Sequence, residues 1–387
     1  MANGSRFFHD ITPLIGNPDS IRAARFYPGG EHLDQVFGPK PNPERGWFYP
    51  EAWLFSPTPA INLGSRRSNE GVTRLFDRDG DSYFWEEYAA LLGQDLLGPY
   101  RLRLSVKLLD GTVTLPQEFH FREIDSARLR NYPKMRSFTG SLIKPEVWIR
   151  HPVAEDEPGP SYVGFSRRLS PEILLSKISG GPKSIEEVMN SVLIDRGSSL
   201  YLPGGIVHSL GKGLYFEVLS DGDLKITLQD TFAGRRLTPE DRLDKLATGS
   251  TDDLRRALEF IDFDTWGESL INLCSQPPVA LDEYRKRIVH TPYFEAEWIE
   301  IPPADRYTIC NSDDPRPRIV IAASGNCDLI GESDSFVLEA NAGTYNDFER
   351  KRSCYGAITH FSATDLRFIN QSNQNFIALH VCEPRHA

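Results

Sequence analysis

The 387-residue chain has the composition of an ordinary globular protein, with 40% hydrophobic and 25% charged residues, which is enough apolar material for a sizeable core. Its net charge of −11 argues against a binding surface for nucleic acid or for an anionic membrane. The sequence has no apolar run long enough to cross a bilayer, and its first residues lack the basic and apolar regions of a secretion signal. We therefore expect a cytoplasmic protein without a transmembrane helix.

A helical segment precedes the first predicted strands. Residues 81–98 are rich in helix-forming residues, whereas residues 100–111 alternate between apolar and polar side chains, as a half-buried strand does. The apolar members of this alternation are Leu102, Leu104, Val106 and Leu108, and the polar members are Arg101, Arg103, Ser105 and Lys107. Each set would occupy one face of the strand.

Further strand-like runs follow, each ended by glycine, proline or another turn-forming residue. They cover residues 145–152, 160–166, 191–205 and 213–230. Two helical runs, 169–181 and 182–192, interrupt them. This first part of the chain is therefore β-rich with helical insertions.

The middle of the chain is helical, and the last third is again β-rich. Within residues 238–266 an apolar face recurs at i, i+3, i+4 and i+7, which predicts an amphipathic helix beginning near Asp252. The residues of this face are Leu254, Ala257, Leu258 and Ile261. Strand-like runs then cover residues 293–301, 318–325, 335–345, 356–362 and 376–383. Many short strands with turn signals predict a mainly β protein of the sandwich or barrel type.

Five cysteines lie in the last third of the chain, and no two have the Cys-x-x-Cys spacing of a metal or redox site. They are Cys274, Cys310, Cys327, Cys354 and Cys382. An odd number of cysteines predicts free thiols in a reducing compartment rather than a disulfide framework. Buried structural thiols are a better interpretation than a catalytic cysteine, because no catalytic signature surrounds any of them.

Histidine and carboxylate side chains recur beside strands of the first β-rich part. Glu118 and His120 are two residues apart, so a strand would place both on one face. Glu146 enters an apolar strand, and His208 lies in the turn-rich stretch LPGGIVHSLGKG, whose glycines lack the spacing of a phosphate loop. Two imidazoles and two carboxylates brought together would suit a divalent metal ion. Spacing alone favours the simpler interpretation, in which each is a hydrogen-bonded polar residue at a barrel rim.

Basic residues suggest a second kind of site. Lys144 precedes Glu146 by two residues and would share its strand face, and Arg235 and Arg236 follow a later strand. Such cations could hold a phosphate or an array of sugar hydroxyls. On the sequence alone, solvated charges are the favoured interpretation. A serine nucleophile finds no support, because no Gly-x-Ser-x-Gly elbow occurs.

Taken in order, five segments resemble the type I mannose-6-phosphate isomerases, which are metal-dependent cupin enzymes. The segments are GWFYPEAWLFSP, YRLRLSVKLLDGTVTLPQEFHF, IKPEVWI, SVLIDRGSSLYLPGGIVHSLGKGLYFEVLSDGDLKITLQD and TPYFEAEWIEI. The fourth carries the family's Pro-x-Gly-x-Val-His-x-Leu-Gly-x-Gly element, whose histidine is a metal ligand. The resemblance implies two cupin-type jelly-roll β-barrels with a helical portion. Residues 1–235 would form a metal-bearing cupin with helical insertions, 236–285 a helical connection, and 286–387 a second cupin.

The resemblance also implies roles for individual residues. His120, Glu146 and His208 match family metal ligands, and Glu118 stands where the family has a glutamine ligand, although the neighbouring Gln117 could face the metal instead. The implied cofactor is one divalent ion, with zinc preferred over manganese, cobalt or iron. The catalytic set carried over consists of Lys144, Asp230, Arg235 and Arg236, in which either arginine could be the family's active-site arginine. Pro116 replaces a serine that lies near the substrate phosphate in the family.

The expected reaction is the interconversion of mannose 6-phosphate and fructose 6-phosphate through a cis-enediol. Isomerisation of a different sugar, or sugar binding without catalysis, are the alternatives, and Pro116 and Glu118 favour a different sugar. The expected partner is a small sugar or sugar phosphate, with neither nucleic acid nor membrane, and we expect a monomer or a homodimer.

Overall fold

The computed structural model describes most of the chain between residues 6 and 385. The ranges within it that are not described are 17–20, 42–46, 61–69, 137–140, 221, 233, 244–245, 249, 251, 311–313, 343–351, 362 and 364. Strands and helices are numbered below in chain order.

The first β-rich part folds into two facing sheets. The six-stranded sheet has the order β11–β8–β13–β6–β3–β2, and the five-stranded sheet has the order β10–β9–β12–β7–β14. The strands of the first sheet are β2 (Arg22–Arg25), β3 (Phe48–Phe55), β6 (Leu104–Gly111), β8 (Glu146–Arg150), β11 (Ser199–Leu202) and β13 (Gly213–Ser220). Those of the second are β7 (Glu118–Phe119), β9 (Ser161–Phe165), β10 (Met189–Val192), β12 (His208–Ser209) and β14 (Ile226–Thr227). Two small hairpins add β4 (Arg74–Phe76) with β5 (Ser82–Phe84), and β15 (Thr231–Phe232) with β16 (Arg235–Arg236).

Helices cover the outer face of the five-stranded sheet. Phe119 and Phe165 of this sheet pack with Leu174 and Phe260 of the helical segments in one buried cluster. The helices that contribute to this cluster are α4 (Ser126–Leu129), α5 (Pro133–Arg136), α6 (Pro171–Ser179), α7 (Pro182–Glu186), α8 (Pro239–Leu243) and α9 (Asp253–Ala257). The helices that pack elsewhere are α1 (Glu31–Phe37), α2 (Trp85–Leu92), α3 (Gln94–Leu97) and α10 (Gly267–Cys274). Two 3-10 helices span Glu123–Asp125 and Leu258–Phe260. Among the described residues every helix is too short or too polar to cross a membrane.

The predicted helices are present but shorter than their patterns, and the run at 182–192 was wrong in its second half, because Met189–Val192 form strand β10 after α7 ends at Glu186. The run at 81–98 divides into α2 and α3 at Gly93, whose φ of 55° leaves the right-handed helical region. The amphipathic run begins at Asp253 as predicted, but α9 tightens into a 3-10 turn and then becomes extended at Ile261. Ala257, Leu258 and Ile261 are buried, so the predicted apolar face is the packed face.

The last third folds into a second pair of sheets, of seven and five strands. Their orders are β1–β25–β21–β27–β19–β18–β17 and β20–β26–β22–β23–β24. The larger sheet contains β1 (Ile11–Leu14), β17 (Val279–Ala280), β18 (Arg285–His290), β19 (Glu295–Ile301), β21 (Arg318–Ser324), β25 (Gly356–Thr359) and β27 (Phe376–Cys382). The smaller contains β20 (Arg306–Ile309), β22 (Asn326–Ile330), β23 (Ser335–Glu339), β24 (Ser353–Cys354) and β26 (Leu366–Ile369). Ile299, Val320, Leu329 and Phe368 are members of the apolar cluster that joins the two sheets.

The six-stranded and seven-stranded sheets share a common core. Val106 and Phe216 of the first belong to one buried cluster with Trp298, Ile321 and Leu379 of the second. One face of β6 therefore packs towards the second sandwich, which leaves its polar face, with Lys107, for the interior of the first.

The N-terminal strand departs from the simplest division of the chain. β1 pairs antiparallel with β25, so residues 11–14 lie in the sheet built by the last third of the sequence. The three-part division at residues 235 and 285 stays a prediction. The predicted free thiols are present, since all five cysteines are unpaired and only Cys310 is exposed.

Candidate metal centre

Four of the predicted ligands converge between the sheets of the first sandwich. His208 on β12 is paired directly with Glu118 on β7, and His120 follows β7 immediately. Glu146 at the start of β8 reaches across from the opposite sheet. Its Oε1 lies 3.4 Å from Nε2 of His208, and its Oε2 lies 3.3 Å from Nε2 of His120. Glu118 Oε1 lies 3.9 Å from Nε2 of His120.

The glycines before His208 form the turn that leads into β12. Gly205 has a φ of 86°, and a Cβ atom at Gly204 would lie 2.3 Å from the carbonyl oxygen of Phe121. Only glycine fits these two positions without strain. The LPGG part of the motif is thus a backbone device that places His208 beside Glu118.

Both imidazoles direct Nε2 at the centre of the cluster. Nδ1 of His120 lies 2.9 Å from the carbonyl oxygen of Leu224, and Nδ1 of His208 lies 2.8 Å from that of Ile206. A carbonyl oxygen can only accept, so Nδ1 carries the proton in each ring and Nε2 presents a lone pair. Burial lowers the pKa of His208 to about 4, so this ring is neutral near pH 7.

The donor set fits a divalent cation. Ligand atoms of Glu118, His120 and His208 all lie within 4.8 Å of one another. Neither Nε2 atom has a hydrogen-bond partner among the described residues. Buried lone pairs that face one another are unfavourable unless a cation lies between them, and two imidazoles with carboxylates are a common nitrogen and oxygen set for zinc, manganese, cobalt or iron.

Each carboxylate of the cluster is held by a lysine. Lys144 Nζ lies 2.9 Å from Glu146 Oε2, and Lys225 Nζ lies 2.9 Å from Glu118 Oε2. Burial alone would raise the pKa of Glu146, but Lys144 together with His120 and His208 outweighs it, and the pKa lies well below its usual value. At Glu118 burial is outweighed by Lys225 together with His120, Lys144 and His208, so its pKa is also lowered. Both carboxylates are therefore ionised and available as ligands.

Three charged residues beyond the sequence-predicted set extend this network. Lys107 on β6 lies 2.9 Å from Glu217 Oε1 and 3.5 Å from Asp223 Oδ1. Lys144 reaches the same two atoms at 3.5 and 3.8 Å. Lys107 and Glu217 face each other because they are direct partners in the β6–β13 ladder. The alternation of residues 100–111 predicted that Lys107 lies on the face opposite Val106, but neither the burial of that polar face nor the ladder partner Glu217 could be predicted from sequence.

A second buried ion pair adjoins this network. Arg25 on β2 contacts the carboxylate of Glu51 on β3 twice. Its Nε donates to Oε1 at 2.9 Å, and its Nη2 lies 2.8 Å from Oε2. The Tyr27 hydroxyl and Trp53 Nε1 also donate to Glu51. Burial would raise the pKa of Glu51, but Arg25, Lys107 and the Tyr27 hydrogen bond together lower it to about 2. The indole of Trp53 in turn lies 4.1 Å from Lys107 Nζ, which couples the two pairs.

The remaining predicted catalytic residues lie on and near the β15–β16 hairpin. Asp230 is exposed and accepts a hydrogen bond from Thr231, and Arg236 is exposed. The guanidinium of Arg235 lies 4.8 Å from the ring centre of Trp47. The described contacts do not join these three residues to the metal cluster, and their catalytic role stays a prediction.

Gln117 points away from the cluster. Its side-chain amide donates to Glu186 at 3.2 Å, on the helix-covered side of the sheet. Glu118, and not Gln117, therefore faces the candidate metal centre.

Comparison with known proteins places this arrangement in a known fold. No family model matches the sequence, and no curated protein matches it. Solved structures do match along nearly the whole chain. The mannose 6-phosphate isomerase from Bacillus subtilis shares 16% identity with a TM-score of 0.66, over 97% of this chain and 99% of that one. A variant of the phosphomannose isomerase from Salmonella typhimurium shares 12% identity with a TM-score of 0.65, over 97% and 100%.

This chain has the fold of the mannose-6-phosphate isomerases. The predicted mainly β cupin architecture is thereby confirmed. A further structure with this fold, at 12% identity and a TM-score of 0.65 over 97% and 100% of the two chains, is a mannose 6-phosphate isomerase bound with zinc and yttrium.

Buried histidines make stability depend on pH. Burial lowers the pKa of His151 to about 3 and the pKa values of His208 and His360 to about 4. In the unfolded chain these pKa values return to about 6.5, so the unfolded state binds more protons and stability is lost as the pH falls from about 6.5 to 4. We expect a lower urea midpoint for the metal-free protein at about pH 4.5 than at about pH 7. Equal midpoints would contradict neutral burial of these rings.

Proposed function

We propose that this protein is a metal-dependent aldose–ketose isomerase, with mannose 6-phosphate and fructose 6-phosphate as its first substrate pair. The convergence of His120, His208, Glu118 and Glu146 on one point, beside a buried network of lysines and carboxylates, carries the proposal. The fold of the mannose-6-phosphate isomerases supports it.

The reaction moves a proton between C1 and C2 of an open-chain sugar through a cis-enediol. A divalent metal bound at the cluster would polarise the sugar oxygens and stabilise negative charge on them. Lys144 and Lys107 would hold and exchange protons with those oxygens. Glu217 and Asp223 both lie within 3.8 Å of Lys107 and Lys144. One of these carboxylates would accept the carbon-bound proton, and the lysines would balance the negative charge of the carboxylates. Arg235, Arg236 and Asp230, on and near the β15–β16 hairpin, would act in anion binding or ring opening.

A different sugar is the second candidate substrate. The three lysines of the site already have carboxylate partners, Lys107 with Glu217, Lys144 with Glu146 and Lys225 with Glu118. A phosphate would therefore depend on other cations, such as Arg235 and Arg236. Because the lysines are already paired, an uncharged sugar is the favoured substrate if mannose 6-phosphate and fructose 6-phosphate are not turned over.

An isomerase assay on purified protein tests the function. We expect interconversion of mannose 6-phosphate and fructose 6-phosphate that falls by at least roughly 100-fold after chelation and returns with zinc or manganese. Turnover of free hexoses alone would select the second candidate. Sugar binding without turnover would contradict the enzyme assignment, and turnover that survives complete metal removal would contradict the metal dependence.

A further inference from the structure

The Glu118–Lys225 pair differs from the other carboxylate–lysine pair of the centre. The side chains of Glu146 and Lys144 are only 2% and 4% exposed, whereas those of Glu118 and Lys225 are 14% and 31% exposed. Glu118 and Lys225 therefore lie at the edge of the cluster that is nearest solvent. Either residue can be changed there without opening a cavity in the core.

Strand geometry explains why these two residues meet. Glu118 on β7 is the ladder partner of Thr227 on β14, and Lys225 lies two residues before Thr227. Residues two apart in an extended segment share a face, so Lys225 and Glu118 face the same interior. One oxygen of Glu118, Oε1, is directed at His120, and the other, Oε2, lies 2.9 Å from Lys225.

Each carboxylate ligand of the centre is matched by one nearby lysine. Glu118 and Glu146 each bring one negative charge, and Lys225 and Lys144 each bring one positive charge within 2.9 Å. Nδ1 of each imidazole contacts a backbone carbonyl oxygen, so Nε2 is the nitrogen that each ring directs at the two carboxylates. The two carboxylate ligands and their nearest lysines therefore sum to zero, while Lys107, Glu217 and Asp223 farther from the ligand atoms add one net negative charge.

We propose that Lys225 sets the charge of the metal centre by cancelling that of Glu118, so that a carboxylate ligand acts electrostatically as a neutral one. The inference rests on the proposed metal site and assigns Lys225 an indirect role through Glu118. An uncancelled carboxylate would bind the ion more tightly but would leave less positive charge to polarise a sugar. Lys225 thus lowers the affinity of the centre for the metal ion and raises the ability of a bound ion to polarise the sugar.

The test is a charge cycle on metal affinity. Zinc affinity is measured by competition with a chromogenic chelator for wild type, Lys225→Met, Glu118→Gln and the double variant. We expect affinity to rise about tenfold in Lys225→Met and to fall about tenfold in Glu118→Gln, because each leaves one charge uncancelled near the ion. The double variant is expected within about threefold of wild type, since its charges again sum to zero.

Turnover and controls separate this role from a merely structural one. Lys225→Met is expected to bind zinc more tightly yet turn over at least about fivefold more slowly, and Lys225→Arg is expected to keep both values. Lys177→Met is the matched control, because Lys177 is 26% exposed and pairs with Glu187 at 2.9 Å away from the centre. Unchanged or weaker zinc binding in folded Lys225→Met would overturn the inference. If the wild type itself bound no zinc, the metal site would be wrong instead.

Discussion

Replacing His208 with alanine is expected to remove bound metal and to lower isomerase turnover at least roughly 100-fold. His208 supplies an Nε2 lone pair 3.4 Å from Glu146, at the centre of the cluster. Groups that only orient ligands already change metal affinity by about 10-fold to 100-fold, so loss of a ligand should cost at least as much. Elemental analysis of the purified variant, together with the isomerase assay, measures both effects.

A histidine outside the centre provides the control for His208→Ala. His290 is 58% exposed and contacts Glu295 in the second sandwich. His290→Ala should keep wild-type metal content and turnover. Full metal content and full turnover in His208→Ala would show that this histidine is not a ligand.

Replacing Lys144 with methionine is expected to lower turnover by about 100-fold to 10,000-fold while metal is retained. The ligands remain, but the positioned proton donor is lost. The buried partner Glu146 also loses its counter-charge at 2.9 Å, so the metal-free variant should be less stable by about 3–5 kcal/mol. Turnover, elemental analysis and urea unfolding in chelator measure the three effects.

The exposed pair Lys177–Glu187 again serves as the control for Lys144→Met. Its N–O distance is also 2.9 Å, but solvent screens it, so Lys177→Met should cost at most about 1 kcal/mol and leave turnover unchanged. Near-normal turnover of folded, metal-bearing Lys144→Met would remove Lys144 from the reaction.

The sequence patterns predicted a mainly β fold, and the family resemblance implied the cupin architecture and the four residues that the structure brings together at the candidate metal centre. Period-two alternation placed Lys107 on the strand face opposite Val106 and Leu108. The motif around His208 carried the most specific resemblance to the mannose-6-phosphate isomerases. These signals are local in the chain, so they are visible without a structure. The apolar face of α9 was likewise predicted from a local pattern, although the predicted helix was longer than the observed one.

Contacts between segments that lie far apart in the chain could not be predicted from the sequence. Glu217 meets Lys107 through a ladder between β6 and β13, and Lys225 meets Glu118 through β14 and β7. Which carboxylate meets which lysine depends on strand register, which single-sequence patterns do not determine. Pairing of β1 with β25 was hidden for the same reason, because the two strands lie at opposite ends of the chain.

One of these long-range contacts, between Lys225 and Glu118, bears on the charge of the candidate metal centre. A glutamate at position 118 would by itself add negative charge around a bound ion and weaken it as a Lewis acid. Lys225 at 2.9 Å supplies the opposite charge, so Glu118 remains compatible with an isomerase centre.

Metal titration of the chelator-stripped protein tests the central claim most directly. Zinc or manganese is added in steps while bound metal and the interconversion of mannose 6-phosphate and fructose 6-phosphate are followed together. We predict that turnover rises in proportion to bound metal and saturates at one ion per chain. Full turnover before any metal is bound, or one bound ion with no turnover of any hexose or hexose phosphate, would contradict a metal-dependent sugar isomerase.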